Sequence, residues 1–151
     1  MAKLLVIGAC GQLGSELTLA LRDLHGKDNV IATDIREGQG ELMNGPFEIL
    51  NAMDKPNLVR LVDQYSITQI YHLAAVLSAK GEANPGFAWE LNMGSLSNVL
   101  EVANEKKLEK VYWPSSIAAF GPNTPVDNTP QNCVMDPNTV YGITKLAGER
   151  W

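Results

Sequence analysis

Tyr141 and Lys145 stand four residues apart in a segment, running on to Trp151, whose pattern reads as a helix that Asn138 or Thr139 could cap. That spacing puts both side chains on one helix face. An ammonium beside a phenol stabilises the phenolate and draws the pKa down from its ordinary value of about 10, so such a tyrosine can take or give a proton near neutrality. The same spacing also arises by chance as surface decoration. Here it follows Ser115-Ser116, at the end of an apolar strand-like run, and Ser116 can hydrogen-bond the oxygen whose proton Tyr141 handles. Ser116, Tyr141 and Lys145 are therefore the candidate catalytic residues.

A second group is the run Gly8-Ala9-Cys10-Gly11-Gln12-Leu13-Gly14, with glycine at every third position. Glycine allows a tight turn and close approach of backbone to a pyrophosphate, and a helix start supplies unpaired N–H groups and a positive dipole end. The pattern is weak alone, but it follows a predicted strand and opens a predicted helix, as a dinucleotide site requires. Asp34 ends the next predicted strand, 20 residues past Gly14. Its carboxylate can accept from ribose hydroxyls and repels a 2′-phosphate, which favours NAD over NADP. Arg36 pulls the other way, because an arginine can receive that phosphate; the carboxylate sets the expectation at NAD.

The elements that must position these residues alternate. Short apolar runs at Lys3 to Ile7, Asn29 to Asp34, Phe47 to Leu50, Gln69 to Leu73 and Lys110 to Trp113 read as strands. Leu13, Leu17, Ala20, Leu21 and Leu24 form one helical stripe; Asp54 can cap a helix carrying Leu58, Leu61, Val62 and Tyr65; Pro85 can open a longer helix to about Lys106. Alternating strands and helices predict an α/β fold, a doubly wound parallel sheet with helices on both faces. Ligands of such sheets sit beyond the carboxyl ends of the strands, so the predicted loops Val76 to Pro85 and Gly121 to Asn138 belong at the ligand edge. The second holds four of the eight prolines and has the length of a lid.

The length of 151 residues suits a single domain, and 45 % apolar with 19 % charged residues excludes a disordered or collagen-like chain. A net charge of −5 argues against nucleic acid or an anionic membrane as partner. No apolar run approaches the roughly 18 residues of a membrane span, and the four-residue run before Gly8 is short for a signal peptide. Cys10 and Cys133 form neither a disulfide framework nor a metal motif, which points to a reducing cytoplasm and no metal. Cys10 reads as a packing residue, His72 as a structural histidine and His25 as a solvent-facing charge at a helix end.

Taken in order, Gly8-x-x-Gly11-x-x-Gly14, Asp34, His72-Leu73-Ala74-Ala75, Ser116 and Tyr141-x-x-x-Lys145 resemble the extended short-chain dehydrogenase/reductases over the whole chain. Thr33-Asp34-Ile35-Arg36, His72 to Ala79, Trp113-Pro114-Ser115-Ser116-Ile117, Phe120-Gly121-Pro122 and Val140-Tyr141-Gly142 are similar to the family's L-threonine 3-dehydrogenase branch. The resemblance implies a Rossmann-type sheet and NAD-linked oxidation of the L-threonine hydroxyl. Tyr141 would be the base, Lys145 would hold the nicotinamide ribose, and Ser116 and Ser78 would contact substrate. It further implies cofactor contacts at Gln12, Leu13, Asn51, Ala52 and Leu73 to Ala75. Asn51 stands where many relatives carry an adenine-binding aspartate, so Asp54 is an alternative partner. Pairing of the Pro85 and Tyr-Lys helices implies a homodimer. The family's sheet continues into further strands and a small substrate lobe, so residues 1–151 are expected to be the NAD-binding half of a longer enzyme. A nucleotide-sugar epimerase or dehydratase, and a non-catalytic dinucleotide-binding protein, remain alternatives.

Overall fold

A computed structural model describes residues 2–151. The chain divides into two compact units. One comprises the residues up to Ala74 together with Ser95–Trp113; the other comprises Ala75–Gly94 and Pro114–Trp151.

The first unit is built on a parallel sheet of five strands, β1 (Leu4–Ile7), β2 (Val30–Asp34), β3 (Phe47–Ile49), β4 (Gln69–His72) and β5 (Lys110–Tyr112), in the order β3-β2-β1-β4-β5. β1 is central, with Leu5 opposite Ile31 on one side and Ile70 on the other. Its side chains alternate between two cores. Leu5 and Ile7 join Ile31 and Ile70 against Leu58, Leu61 and Val62 of α2 (Lys55–Tyr65) and Val99 and Val102 of α4 (Pro85–Lys106). Leu4 and Val6 join Val30 and Ala32 against Leu17 and Leu21 of α1 (Gln12–His25). β1 and β2 are buried on both faces, which is why β1 and the first part of β2 read as apolar runs. The doubly wound sheet is as expected.

Local signals fix the helix ends. Asp54 Oδ1 accepts from the Asn57 N–H at 3.1 Å and caps α2. The α1 stripe is narrower than its periodicity predicts: Leu13 and Leu24 at its ends and Ala20 within it are exposed, leaving Leu17 and Leu21 on the core. Arg22 is buried instead, its guanidinium donating to the carbonyls of Leu42 at 2.7 Å and Pro46 at 2.8 Å. His25 is half-buried rather than free in solvent.

In the second unit, the stretch predicted as the loop Val76 to Pro85 contains a short helix, α3 (Ser78–Ala83). Its sequence has no apolar stripe and includes a glycine, so periodicity could not reveal it. The Gly121 to Asn138 segment has no helix or strand. Its neck is closed by Thr124, whose hydroxyl accepts from Gly121 N–H at 3.0 Å and donates to the Val134 carbonyl at 2.6 Å. The last helix, α5 (Val140–Arg150), is capped by Thr139, not Asn138: its Oγ1 accepts from Gly142 N–H at 3.0 Å.

Candidate active site

The expected site residues form two groups, one in each unit. In the first, the glycine run is the turn from β1 to α1. Gly8 has φ +89°, and a Cβ there would come within 2.8 Å of the Ala74 nitrogen. A Cβ on Gly14 would run into the Gly8 carbonyl. Both positions demand glycine because backbone passes against backbone. The turn hangs from β2, with Gly8 and Ala9 N–H both donating to the Thr33 carbonyl at 2.9 Å. No side chain caps α1 at Gly11, so the first-turn N–H groups at Gln12 to Gly14 are left for a ligand.

Asp34, 6 % exposed, closes this group. Its Oδ2 accepts from Cys10 N–H at 2.9 Å, and its Oδ1 from Arg36 N–H at 3.1 Å and Arg36 Nε at 3.2 Å. The Cys10 thiol also bonds this carboxylate, so Asp34 is held from both sides of the turn. Arg36 also gives Nη2 to the Cys10 carbonyl at 2.9 Å, so the arginine braces Asp34. Beside them lies a cleft of about 220 Å³ lined by Cys10, Ser15, Arg36, Glu37, Gln39 and Leu42. Burial, and next the Asp34 charge, push the Cys10 thiol pKa up, which suits a packing residue.

The remaining residues of this group are placed less directly. The Asn51 side-chain oxygen accepts from Met53 N–H at 3.0 Å, and Asp54 serves the α2 cap. Ala52 is buried, with its carbonyl held by Asn98 at 3.0 Å. Leu73 N–H donates to the Ile7 carbonyl, which sets Leu73-Ala74 beside the glycine turn. His72 is buried with Nε2 3.0 Å from Ser95 Oγ, a structural placement. Among the described residues no cluster of histidine, cysteine or carboxylates could hold a metal ion, and no helix is long and apolar enough to cross a membrane.

In the second unit the three candidate catalytic residues converge on α5. Lys145 is 4 % exposed and its Nζ donates to the Pro114 carbonyl at 2.6 Å, two residues before Ser116. Burial pulls its pKa down to about 8. The ammonium lies 5.6 Å from the centre of the Tyr141 ring. Ser116 heads the 3-10 turn Ile117–Ala119, its Oγ accepting from Ala118 N–H at 3.2 Å. A side chain at Gly142 would strike the Ala118 carbonyl, so glycine there lets this turn pack directly on α5. Ser115 Oγ also bonds Glu149 of α5. Ser78 is exposed as the first residue of α3. Ala75 is half-buried just before it.

Asn92 of α4 was not legible as a site residue. It is buried; its Oδ1 accepts from Val76 N–H at 2.8 Å, and its Nδ2 donates to the Val76 carbonyl at 3.1 Å and Thr144 Oγ1 at 3.3 Å. Thr144 in turn donates to the Tyr141 carbonyl at 2.7 Å. Asn92 is one of three asparagines in α4, with Asn98 and Asn104, so its type and place in the sequence do not single it out.

Residues 4–151 match the NAD dependent epimerase/dehydratase family. The chain belongs to that family. Its cofactor is NAD. An uncharacterized epimerase/dehydratase of Staphylococcus saprophyticus is 52 % identical over 99 % of this chain and 47 % of its own length. Among solved structures, a partial-consensus L-threonine 3-dehydrogenase is 58 % identical with TM-score 0.94, covering 99 % of this chain and 48 % of that one. The holo form of a GalE-like L-threonine dehydrogenase from Cupriavidus necator is 55 % identical with TM-score 0.95, covering 99 % and 49 %. The chain thus spans about half the length of the relatives it matches. The first-unit group fits the family's cofactor: glycine keeps the turn from β1 to α1 tight, no side chain caps the start of α1, and the Asp34 carboxylate stands beside the turn.

Proposed function

We propose that the whole protein oxidises the side-chain hydroxyl of L-threonine to give 2-amino-3-ketobutyrate. The observation that carries this reading is the buried Lys145 ammonium beside Tyr141 on α5, anchored to the carbonyl just before Ser116. The L-threonine dehydrogenases among the similar structures supply the substrate class.

In this reading Tyr141 takes the hydroxyl proton while Ser116 holds the same oxygen by a hydrogen bond. Lys145, an ammonium below about pH 8, sets a positive charge beside the Tyr141 ring and would hold the nicotinamide ribose. Gly8 to Gly14 would hold the pyrophosphate and Asp34 the adenosine ribose, with Leu73 to Ala75, Asn51 and Ala52 along the cofactor and Ser78 on the amino acid. Arg36 acts by holding Asp34. Bound NAD would supply the acceptor for the hydride that leaves the carbinol carbon. The protein is proposed to pair through α4 and α5, where Phe87, Trp89 and Ile143 are exposed. Sedimentation of the whole protein should then give twice the monomer mass.

The second reading is a nucleotide-sugar epimerase or dehydratase, which the name of the staphylococcal relative favours. The two differ in redox balance: oxidation of threonine accumulates NADH, whereas epimerisation returns the hydride and accumulates none. The test follows NADH absorbance with L-threonine, then offers UDP-glucose and UDP-galactose. We expect NADH with threonine; none, together with interconversion of the sugars, establishes the second reading.

A further inference from the structure

Besides α5 itself, two segments carry residues assigned to the substrate, and α5 is tied to each differently. The Ser116 segment is fastened by close or buried contacts: the Lys145 bond to Pro114, and Gly142 against Ala118. The Ser78 segment is tied at two points. At its base, buried Asn92 holds both backbone groups of Val76 and reaches Thr144. At its far end, exposed Glu82 of α3 accepts the N–H of Val140, the first residue of α5, at 2.7 Å.

The second tie sets orientation. α3 has only six residues and no side-chain N-cap, too short to be stable by itself, so its rotation is set by what it touches. Ser78 and Glu82 are four apart and share a helix face. A bond from Glu82 to Val140 therefore turns the Ser78 face toward the first turn of α5, where Tyr141 is the next residue. Val140 N–H is one of the first-turn donors that Thr139 does not reach, so the carboxylate also meets the positive end of α5.

We propose that Glu82 is a positioning residue that sets Ser78 relative to Tyr141 and thereby governs affinity for the substrate. It touches no reacting atom. This inference rests on the proposed dehydrogenase reading for its kinetic consequence but not for its structural one.

The experiment uses the whole protein with Glu82→Ala, Glu82→Gln, Ser78→Ala and the Glu82→Ala/Ser78→Ala double variant. Losing a hydrogen bond to a charged acceptor predicts a KM for L-threonine about tenfold higher in Glu82→Ala, with the KM for NAD unchanged. Glu82→Gln keeps an acceptor and should restore KM to within about twofold. The double variant should be no worse than Ser78→Ala, because Glu82 acts through Ser78. Independent multiplication of the two effects, or an equal rise in the KM for NAD, overturns the proposal. Hydrogen exchange without substrate reads the tie directly: amides of residues 77–83 and of Val140 should exchange faster in Glu82→Ala and less so in Glu82→Gln. Unchanged exchange in both also overturns it. Faster exchange in a protein that never oxidises threonine would uphold the tie and reject the dehydrogenase reading instead.

Discussion

At the scale of single residues, the proposed site separates side chains offered to the chemistry from those that hold them. Tyr141→Phe removes only the phenolic oxygen, so turnover should fall by the roughly 10²–10⁴-fold of a lost general base while NAD affinity stays within about twofold. Stopped-flow turnover beside a NAD titration checks both. Lys145 makes a prediction about pH. Its folded pKa of about 8 lies below the ordinary 10.5, so between these values the folded chain binds fewer protons than the unfolded one. Stability from this group therefore rises with pH across that window and is lost as pH falls back toward 8. Urea unfolding at about pH 8 and about pH 10 should show that rise, and Lys145→Met should flatten it. Asp34→Ala should weaken NAD by roughly 10–100-fold, the worth of a hydrogen bond to a charge, and free Arg36 toward a 2′-phosphate. Calorimetric titration with NAD and NADP should show the preference shrinking; an unchanged ratio would remove the ribose role.

At the scale of elements, the strands, α2 and the glycine turn were legible because their signals are local. Apolar runs are short enough to be strands, Asp54 stands at a helix start, and glycine recurs where backbone must turn. α3 was not, because a six-residue exposed helix with an internal glycine carries no periodicity. Nor could spacing choose between Asn138 and Thr139 as the cap of α5; the hydroxyl within 3.0 Å of Gly142 N–H decides it. Asn92 ties α4 to the segment before α3 and to α5. Asn92→Leu would leave the Val76 N–H and carbonyl without their side-chain partner, a cost of about 2–3 kcal/mol. Denaturant titration should show that loss, and threonine turnover should fall more than NAD affinity, because Asn92 braces the segments bearing Ser78 and Tyr141.

At the scale of the whole molecule, a ligand that binds the folded state raises stability by mass action. NAD at about 100 times its dissociation constant should add roughly 2.7 kcal/mol, and NADP at equal concentration less. A thermal shift series checks this without any assumption about substrate. The sequence by itself determined the doubly wound sheet and the cofactor class, and it put forward Ser116, Tyr141 and Lys145 as the candidates for chemistry. Each depends on period, turn chemistry or i,i+4 spacing, which neighbours in the chain impose on one another. Only the tertiary structure decided that Arg36 braces Asp34 and the Cys10 carbonyl, that Lys145 is buried against Pro114, and that Asn92 and Glu82 fasten the Ser78 segment. Those partners lie from 2 to 58 residues apart. A side chain's hydrogen-bond partner and its desolvation are properties of the packed chain, and no run of neighbouring residues encodes them alone.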